Sequence, residues 1–228
     1  MKKHQDSFRD IRVLFFVIAL ILAGVMMIFP GLDILITSHF YVPNIGFIYG
    51  KEKLVELSFR AVPFISKIWA SLCMLALFAK FLSNRTIKET IKSPAIFLII
   101  TALLGPALTV NYLFKENMGR ARPREIVEFG GDKIFAAPLE YSTECSSNCS
   151  FSSGHAAMAF YFTALAFLVP AAYQRLTFIL ASFLGFVVGF GRILQGGHFF
   201  SDVLFSFIVI MIINEVIFWA WRYYAFQK

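Results

Sequence analysis

Six runs of roughly 20 mainly apolar residues divide the sequence, at about 12–30, 61–82, 94–115, 154–171, 175–192 and 200–222. A helix needs about that length to cross the hydrocarbon of a bilayer. A backbone with no water around it must also satisfy its own N–H and C=O groups, which a helix does within one segment. With 58% hydrophobic residues and a mean hydropathy of +0.71, the composition lies far above that of an ordinary soluble domain. The expected fold class is therefore all-α: a polytopic integral membrane protein with six transmembrane helices in one bundle. The fourth and fifth runs are the shortest and meet at a tight Pro170-Ala171 corner. No internal repeat marks a solenoid, so residues 1–228 read as a single transmembrane domain. Two connections are long, about 31–60 and 116–153, and both are rich in Gly, Pro, Asn and charge, as loops are.

A net charge of +7 raises the question of nucleic acid. No basic stripe interleaved with aromatic residues lies outside the apolar runs, so nucleic acid is not expected as a partner. The N-terminal Lys2, Lys3, Arg9 and Arg12 look like the charged region of a signal peptide, but the apolar run after them is long and lacks a small-residue cleavage site. It is expected to be a retained span. The positive-inside rule then sets the orientation. With the N-terminus cytoplasmic, that side carries Lys2, Lys3, Arg9, Arg12, Lys80, Arg85, Lys88, Lys92, Arg175, Arg222 and Lys228 against Asp6, Asp10 and Glu89. The opposite side has nearly as many cations but balances them with acids, so the bias is mostly one of net charge. Both termini are then cytoplasmic and both long loops face outward.

Cys145 and Cys149, in ECSSNCS, fall in the second outward loop, while Cys73 lies inside an apolar run. A C-x3-C pair facing an oxidising compartment suits a small disulfide loop. Metal binding is the rival, weakened because no histidine or second cysteine pair lies nearby at zinc spacing.

Three short segments carry ionisable residues at the outward ends of the apolar runs. They are KENMGRARP at Lys115 to Pro123, SSGH at Ser152 to His155, and FGRILQGGHFFSDV at Phe190 to Val203. Ionisable groups near membrane depth are costly and mark function. Lys115, Arg122 and Arg192 together would neutralise a phosphoryl group, and arginine suits bidentate phosphate contacts. Ser153 and Gly154 stand where a helix N-terminus is expected, so backbone N–H groups there can point at the same anion. If His198 opens a helix, Asp202 lies one turn on and can accept a hydrogen bond from the imidazole. His198 then suits a nucleophile that becomes a phosphohistidine. His155, beside the helix N-terminus, suits the general acid that protonates the leaving alcohol and later activates water. Each piece alone has a plainer reading: interfacial anchors for Lys115 and Arg122, a cap for SSG, a snorkelling Arg192 and a helix-capping Ser201-Asp202 pair. Their convergence on one side of the membrane favours a site.

The pattern Lys115-x6-Arg122-Pro123, Ser153-Gly154-His155 and Arg192-x5-His198-x3-Asp202 resembles the three-part signature of the type 2 phosphatidic acid phosphatase (PAP2) superfamily of membrane lipid phosphatases. The resemblance implies a six-helix bundle, hydrolysis of phosphate esters without a metal or other cofactor, and the same residue roles. Ser152 stands where proline is common and Gly191 where serine is common; neither departure removes a charged or catalytic group. GRARP, the EFGG at Glu128 to Gly131, CSFSSGH and GGHFFSD look most like bacterial lipid A phosphatases of the 4'-phosphatase type. That likeness implies a membrane lipid substrate met at the periplasmic face of a bacterial inner membrane. Arg120, Arg124 and Lys133 are extra cations that suit a headgroup with several anionic groups, unless Glu125, Glu128 and Asp132 pair with them. The alternatives are an undecaprenyl pyrophosphate or phosphatidylglycerol-phosphate phosphatase and, in another class, an anion or sugar-phosphate transporter. No duplicated half or paired broken helices favour transport.

Overall fold

The structure, a computed structural model, describes residues 2–83 and 86–226. Arg85 and Lys228, and the side chains of Lys2, Lys3 and Lys88, all of which entered the charge comparison, lie outside what is described. Helix α1 covers Lys2–Ile28, and a second helix, α2 (Gly31–Ser38), follows the Pro30 corner. A small antiparallel hairpin of β1 (Tyr41–Val42) and β2 (Gly46–Phe47) leads to α3 (Lys53–Leu82). A short α4 (Ile87–Ile91) then precedes α5 (Pro94–Asn117), α6 (Gly154–Phe167), α7 (Ala171–Leu194) and α8 (Phe200–Phe226).

Five of the six expected spans are helices long and apolar enough to cross a membrane: Asp6–Ile28 within α1, then α3, α5, α7 and α8. The fourth is shorter than the expected 154–171. Helix α6 ends at Phe167, and Pro170 caps the start of α7. Its second half, Tyr161–Phe167, winds as a tighter 3-10 helix, whose greater rise stretches α6 to about 24 Å, still below a hydrocarbon thickness of about 30 Å. No residue of α6 is exposed. It sits inside the bundle, where small residues such as Ala156, Ala157 and Ala164 let α5, α7 and α8 come close. A helix enclosed by its neighbours need not reach both interfaces.

The start of α3 also differs from the expected residue 61. Lys53 to Arg60 interleave Lys53, Glu56, Ser58 and Arg60 with apolar residues and so escape a hydropathy reading, yet they continue the helix, with Arg60 paired to Glu56 one turn below. Helix α5 widens to π winding over Leu103–Phe114, around Pro106, which has no N–H to give. There Thr109 Oγ1 donates to the Leu104 carbonyl and Asn111 Nδ2 to the Pro106 carbonyl, both at 2.7 Å and both five residues back.

The bundle core is aromatic. Phe160 of α6 meets Phe186 of α7 at 4.9 Å and Phe207 of α8 at 5.0 Å, edge to face. Some polar groups inside it pair with one another: Trp69 Nε1 donates to the Tyr161 hydroxyl at 3.2 Å, which donates to the Leu98 carbonyl at 2.9 Å. Apolar side chains also cover the outside, including Leu72, Leu75, Phe78 and Phe81 of α3, as a surface facing lipid requires. The C-terminal ends of α1, α5 and α7 and the N-terminal ends of α3, α6 and α8 gather at one end, and both long connections close over it. At the other end Arg12 is paired with Glu215, and Trp221 Nε1 donates to the Ile91 carbonyl at 2.8 Å.

Candidate active site

The floor of the site is a buried ion cluster drawn from three distant parts of the chain. Arg120, fully buried, donates through Nη1 to Asp202 Oδ1 at 2.6 Å and to Ser201 Oγ at 2.9 Å, through Nη2 to Asp33 Oδ2 at 2.9 Å, and through Nε to the Ala136 carbonyl at 2.9 Å. Its guanidinium lies 4.4 Å from the Phe199 ring centroid. Asp33, in the first turn of α2, also accepts from the Ser201 backbone N–H at 3.0 Å, capping the first turn of α8. Burial raises the Asp33 carboxyl above the ordinary aspartate range, against the pull of Arg120. Arg120 is therefore not available to a headgroup, which corrects the expectation that it serves, with Arg124 and Lys133, as an extra cation for further anionic groups.

His198 stands on this floor in the turn before α8, with none of its surface exposed. Its Nδ1 lies 2.7 Å from the Ser150 carbonyl and 3.6 Å from Asp202 Oδ2. The expected hydrogen bond to Asp202 thus goes instead to a backbone oxygen, because both atoms of that carboxylate are already engaged. Asp202 Oδ2 accepts from Ser150 Oγ at 2.6 Å and from the Phe199 N–H at 2.9 Å, while Oδ1 takes Arg120. Asp202 reaches His198 by its charge and by fixing Ser150. A carbonyl can only accept, so Nδ1 carries the proton and Nε2 presents a lone pair. Nε2 is buried and has no partner among the described residues. Burial lowers the His198 pKa from 6.5 to about 3, with Arg192 and Lys115 adding and Asp202 opposing, so the ring is neutral near pH 7.

The expected phosphate-binding cations stand around this nitrogen. Lys115, 7% exposed at the end of α5, donates to Asn148 Oδ1 at 2.9 Å, and Arg122 donates through Nη2 to the Asn148 carbonyl at 2.5 Å. Asn148 lies in the loop closed by a Cys145–Cys149 disulfide, whose Cα atoms are 5.6 Å apart, and the Cys149 N–H donates to the Lys115 carbonyl at 3.1 Å. The bridged loop therefore orders two of the three cations. Arg192, the third, is bonded to Gln195 Oε1 and lies 4.6 Å over the Phe59 ring. A Cβ on Gly197 would sit 2.4 Å from Arg192 Nη2, so the glycine leaves the guanidinium room to lie where it does.

His155, in the first turn of α6, stacks on the other partner of that contact: its ring is 4.7 Å from Phe59 and tilted 21°. Its Nε2 is buried without a partner among the described residues. Ser153 caps α6 by accepting from the Ala156 N–H at 3.4 Å. A Cβ on Gly154 would meet Asn111 Oδ1 at 2.4 Å, so the glycine admits the π-wound part of α5 against the start of α6. Thus the three motifs converge, with Lys115, Arg122, His155, Arg192 and His198 all lining one cavity of about 400 Å³. Ser153, Gly154 and Asp202 lie beneath the lining.

Asp33, Phe59, Ser150 and Asn148 belong to the same constellation and were not foreseen. Of the other extra cations, Lys133 is held by Glu125 at 3.0 Å, while Arg124 lines the cavity together with Lys51. Chemically, the cavity offers a neutral imidazole nitrogen, a second imidazole and a ring of cations, and no carboxylate among the described residues lines it. That set fits nucleophilic attack on a phosphate ester.

Comparison with known proteins gives the same picture. Residues 93–227 match the family model of the PAP2 superfamily. Over 194 residues, 84% of this chain and 87% of the relative, the sequence is 35% identical to a lipid A 4'-phosphatase of Francisella tularensis subsp. novicida (strain U112). A lipid A 4'-phosphatase of Rhizobium leguminosarum is 29% identical over 211 residues, covering 84% of this chain and 88% of the relative. The crystal structure of a transmembrane PAP2-type phosphatidylglycerolphosphate phosphatase from Bacillus subtilis superposes with a TM-score of 0.53 over 92% of this chain and 94% of that one. At 20% identity that likeness is one of fold.

Proposed function

Because the chain belongs to the PAP2 superfamily and is a phosphatase acting on membrane lipids, we propose that it removes the 4'-phosphate of lipid A through a phosphohistidine on His198. The observation that carries the mechanism is His198 Nε2, buried, without a partner and opening on the cation-lined cavity, with Nδ1 tied to the Ser150 carbonyl. The Nε2 lone pair attacks phosphorus while the P–O ester bond breaks, and His155, which takes up a proton once the anionic headgroup offsets the surrounding Arg192, Lys115 and Arg122 charges, gives that proton to the leaving alkoxide. The phosphorylated ring keeps its Nδ1–H and is cationic, and the Asp202 charge 3.6 Å away offsets that charge. Neutral His155 then takes a proton from water as the water oxygen attacks phosphorus. The N–P bond breaks and inorganic phosphate leaves. Lys115, Arg122 and Arg192 hold the phosphoryl oxygens throughout, which is the work a divalent cation does in other phosphoryl transfers.

The substrate reading is supported by the relatives named above. It is also supported by position: a headgroup reaches a site at the helix ends while its acyl chains stay in lipid, a burial worth roughly 0.8 kcal/mol per CH2. The same end faces away from Lys80, Lys92, Arg175 and Arg222, which supports a periplasmic site, cytoplasmic termini and residence in the bacterial inner membrane. Although the family match begins at residue 93, Asp33 and Phe59 enter the site from before it, and we take residues 1–228 as one catalytic unit.

The test is a panel of lipid phosphates given to purified protein in detergent, with and without EDTA. The expected result is release of the 4'-phosphate of lipid A faster than hydrolysis of undecaprenyl pyrophosphate, phosphatidylglycerol phosphate or phosphatidic acid, with full activity in EDTA. Preference for another lipid would overturn the substrate. Loss in EDTA with rescue by Mg2+ would overturn the role of the three cations.

A further inference from the structure

The cavity holds more positive charge than one phosphate needs. A phosphate monoester carries at most two negative charges, which Lys115, Arg122 and Arg192 already offset, yet Lys51 and Arg124 line the same cavity. Neither Lys51 nor Arg124 has a side-chain hydrogen bond or ion pair among the described residues. The acid nearest in sequence to Arg124 is engaged elsewhere: Glu125 binds Lys133 at 3.0 Å and the Arg122 N–H at 3.3 Å. Its carboxyl is held below the ordinary glutamate range, where the Lys133 and Arg122 bonds outweigh an opposing effect of burial. It therefore stays ionised and committed to those partners.

The two cations are also anchored, although they come from different loops. The Arg124 N–H donates to the Gly196 carbonyl at 3.1 Å, and Gln195 Nε2 donates to the Gly50 carbonyl at 3.3 Å. Lys51 and Arg124 thus hang from adjacent residues of the turn that leads into His198. That turn, together with the bonds within their own loops, ties their backbone to the segment that carries the nucleophile. Burial and the neighbouring Arg124 charge both lower the Arg122 pKa, as expected where Arg124 stands beside the phosphate cations.

We propose that Lys51 and Arg124 form a second anion subsite, taking a further anionic group on the headgroup of the lipid whose phosphate sits at His198. The inference rests on the reading of the cavity as a lipid-phosphate site. The second anion has two possible sources, the outer phosphoryl of a pyrophosphate or a separate phosphate or carboxylate elsewhere on a sugar headgroup, and the chemistry of recognition is the same for both.

The test compares wild type with Lys51→Ala, Arg124→Ala and the double variant in neutral detergent micelles. Three substrates are used: a bisphosphorylated glucosamine-disaccharide lipid, a polyprenyl pyrophosphate and phosphatidic acid, which has a single phosphate. Both side chains are exposed, so the fold is expected to tolerate their loss. For the double variant the expected result is a KM raised about tenfold on one or both of the multiply charged lipids, with kcat nearly unchanged and the KM for phosphatidic acid within about twofold. The lipid on which KM rises identifies the source of the second anion. An equal rise on all three, as general attraction would produce, or no rise on any, overturns the subsite. Substrate preference is read from wild-type rates alone and the subsite from variant-to-wild-type ratios, so failure of either is seen separately.

Discussion

Arg120 and Arg122 lie two residues apart, yet they belong to opposite regions of the site. Arg120 is in the floor, fully buried, with its donors taken by Asp33, Asp202, Ser201 and the Ala136 carbonyl. Arg122 is in the wall of the cavity, half-buried, and its one recorded side-chain bond is to the Asn148 carbonyl. The same contrast separates the carboxylate of Asp202, fully engaged, from His198 Nε2, His155 Nε2 and Arg192 Nε, all buried and without a partner among the described residues. Buried polar groups in a folded protein are nearly always satisfied, so each exception needs a reason; Thr37 Oγ1, Ser66 Oγ, Ser182 Oγ and Asn214 Oδ1 are exceptions outside the cavity lining, whereas the two imidazole nitrogens and Arg192 Nε belong to residues that line it. The floor spends its polar groups on holding shape; the wall keeps them for substrate.

Substitution of the two arginines tests that division. Arg120→Ala leaves two buried carboxylates without their cation, a loss of about 3–5 kcal/mol, so the protein is expected to lose most of its thermal stability in detergent and its activity with it. Arg122→Ala is expected to keep stability within about 0.5 kcal/mol while kcat/KM falls about 100-fold through loss of transition-state charge stabilisation. Melting curves set beside initial rates decide it. Equal destabilisation by both changes would erase the distinction between floor and wall.

A smaller effect sharpens it. The Cys145–Cys149 loop presents Asn148 to Lys115 and Arg122, so Cys145→Ala/Cys149→Ala loosens the wall without touching the floor. The expected outcome is a KM raised roughly threefold, the size of a weakened exposed polar contact, with kcat and the midpoint of unfolding of the α-helical bundle little changed. A large fall in kcat would place the loop in the chemistry itself.

The wall was legible in the sequence because ionisable residues stand out in an apolar chain. Lys115, Arg122, His155, Arg192 and His198 are conspicuous for that reason, and their order along the chain matched a known pattern. Much of the floor was not. Asp33 meets Ser201 and Arg120 across more than 80 positions, and nothing local to GLDILITS announces those partners. The available signal was an acid set among apolar residues just past a span. Ser150 meets His198 through its backbone carbonyl, which any residue has, and its hydroxyl bonds Asp202 across 52 positions, so nothing local announces either contact. Phe59 is one phenylalanine among 28; only the stacked His155 and the overlying Arg192 distinguish it. The helical membrane architecture followed from run length, whereas the shortness of α6 did not, because an enclosed helix and a lipid-facing one are equally apolar.

In the proposed mechanism His198 Nε2 carries the phosphoryl group. Wild type and His198→Ala, each mixed with radiolabelled lipid phosphate, can be quenched in base during turnover and the protein tested for bound label. The account predicts an acid-labile, base-stable phosphoryl group on the wild type and none on His198→Ala, which also lacks turnover. An adduct that persists in His198→Ala, or label that resists acid on the wild type, would contradict it.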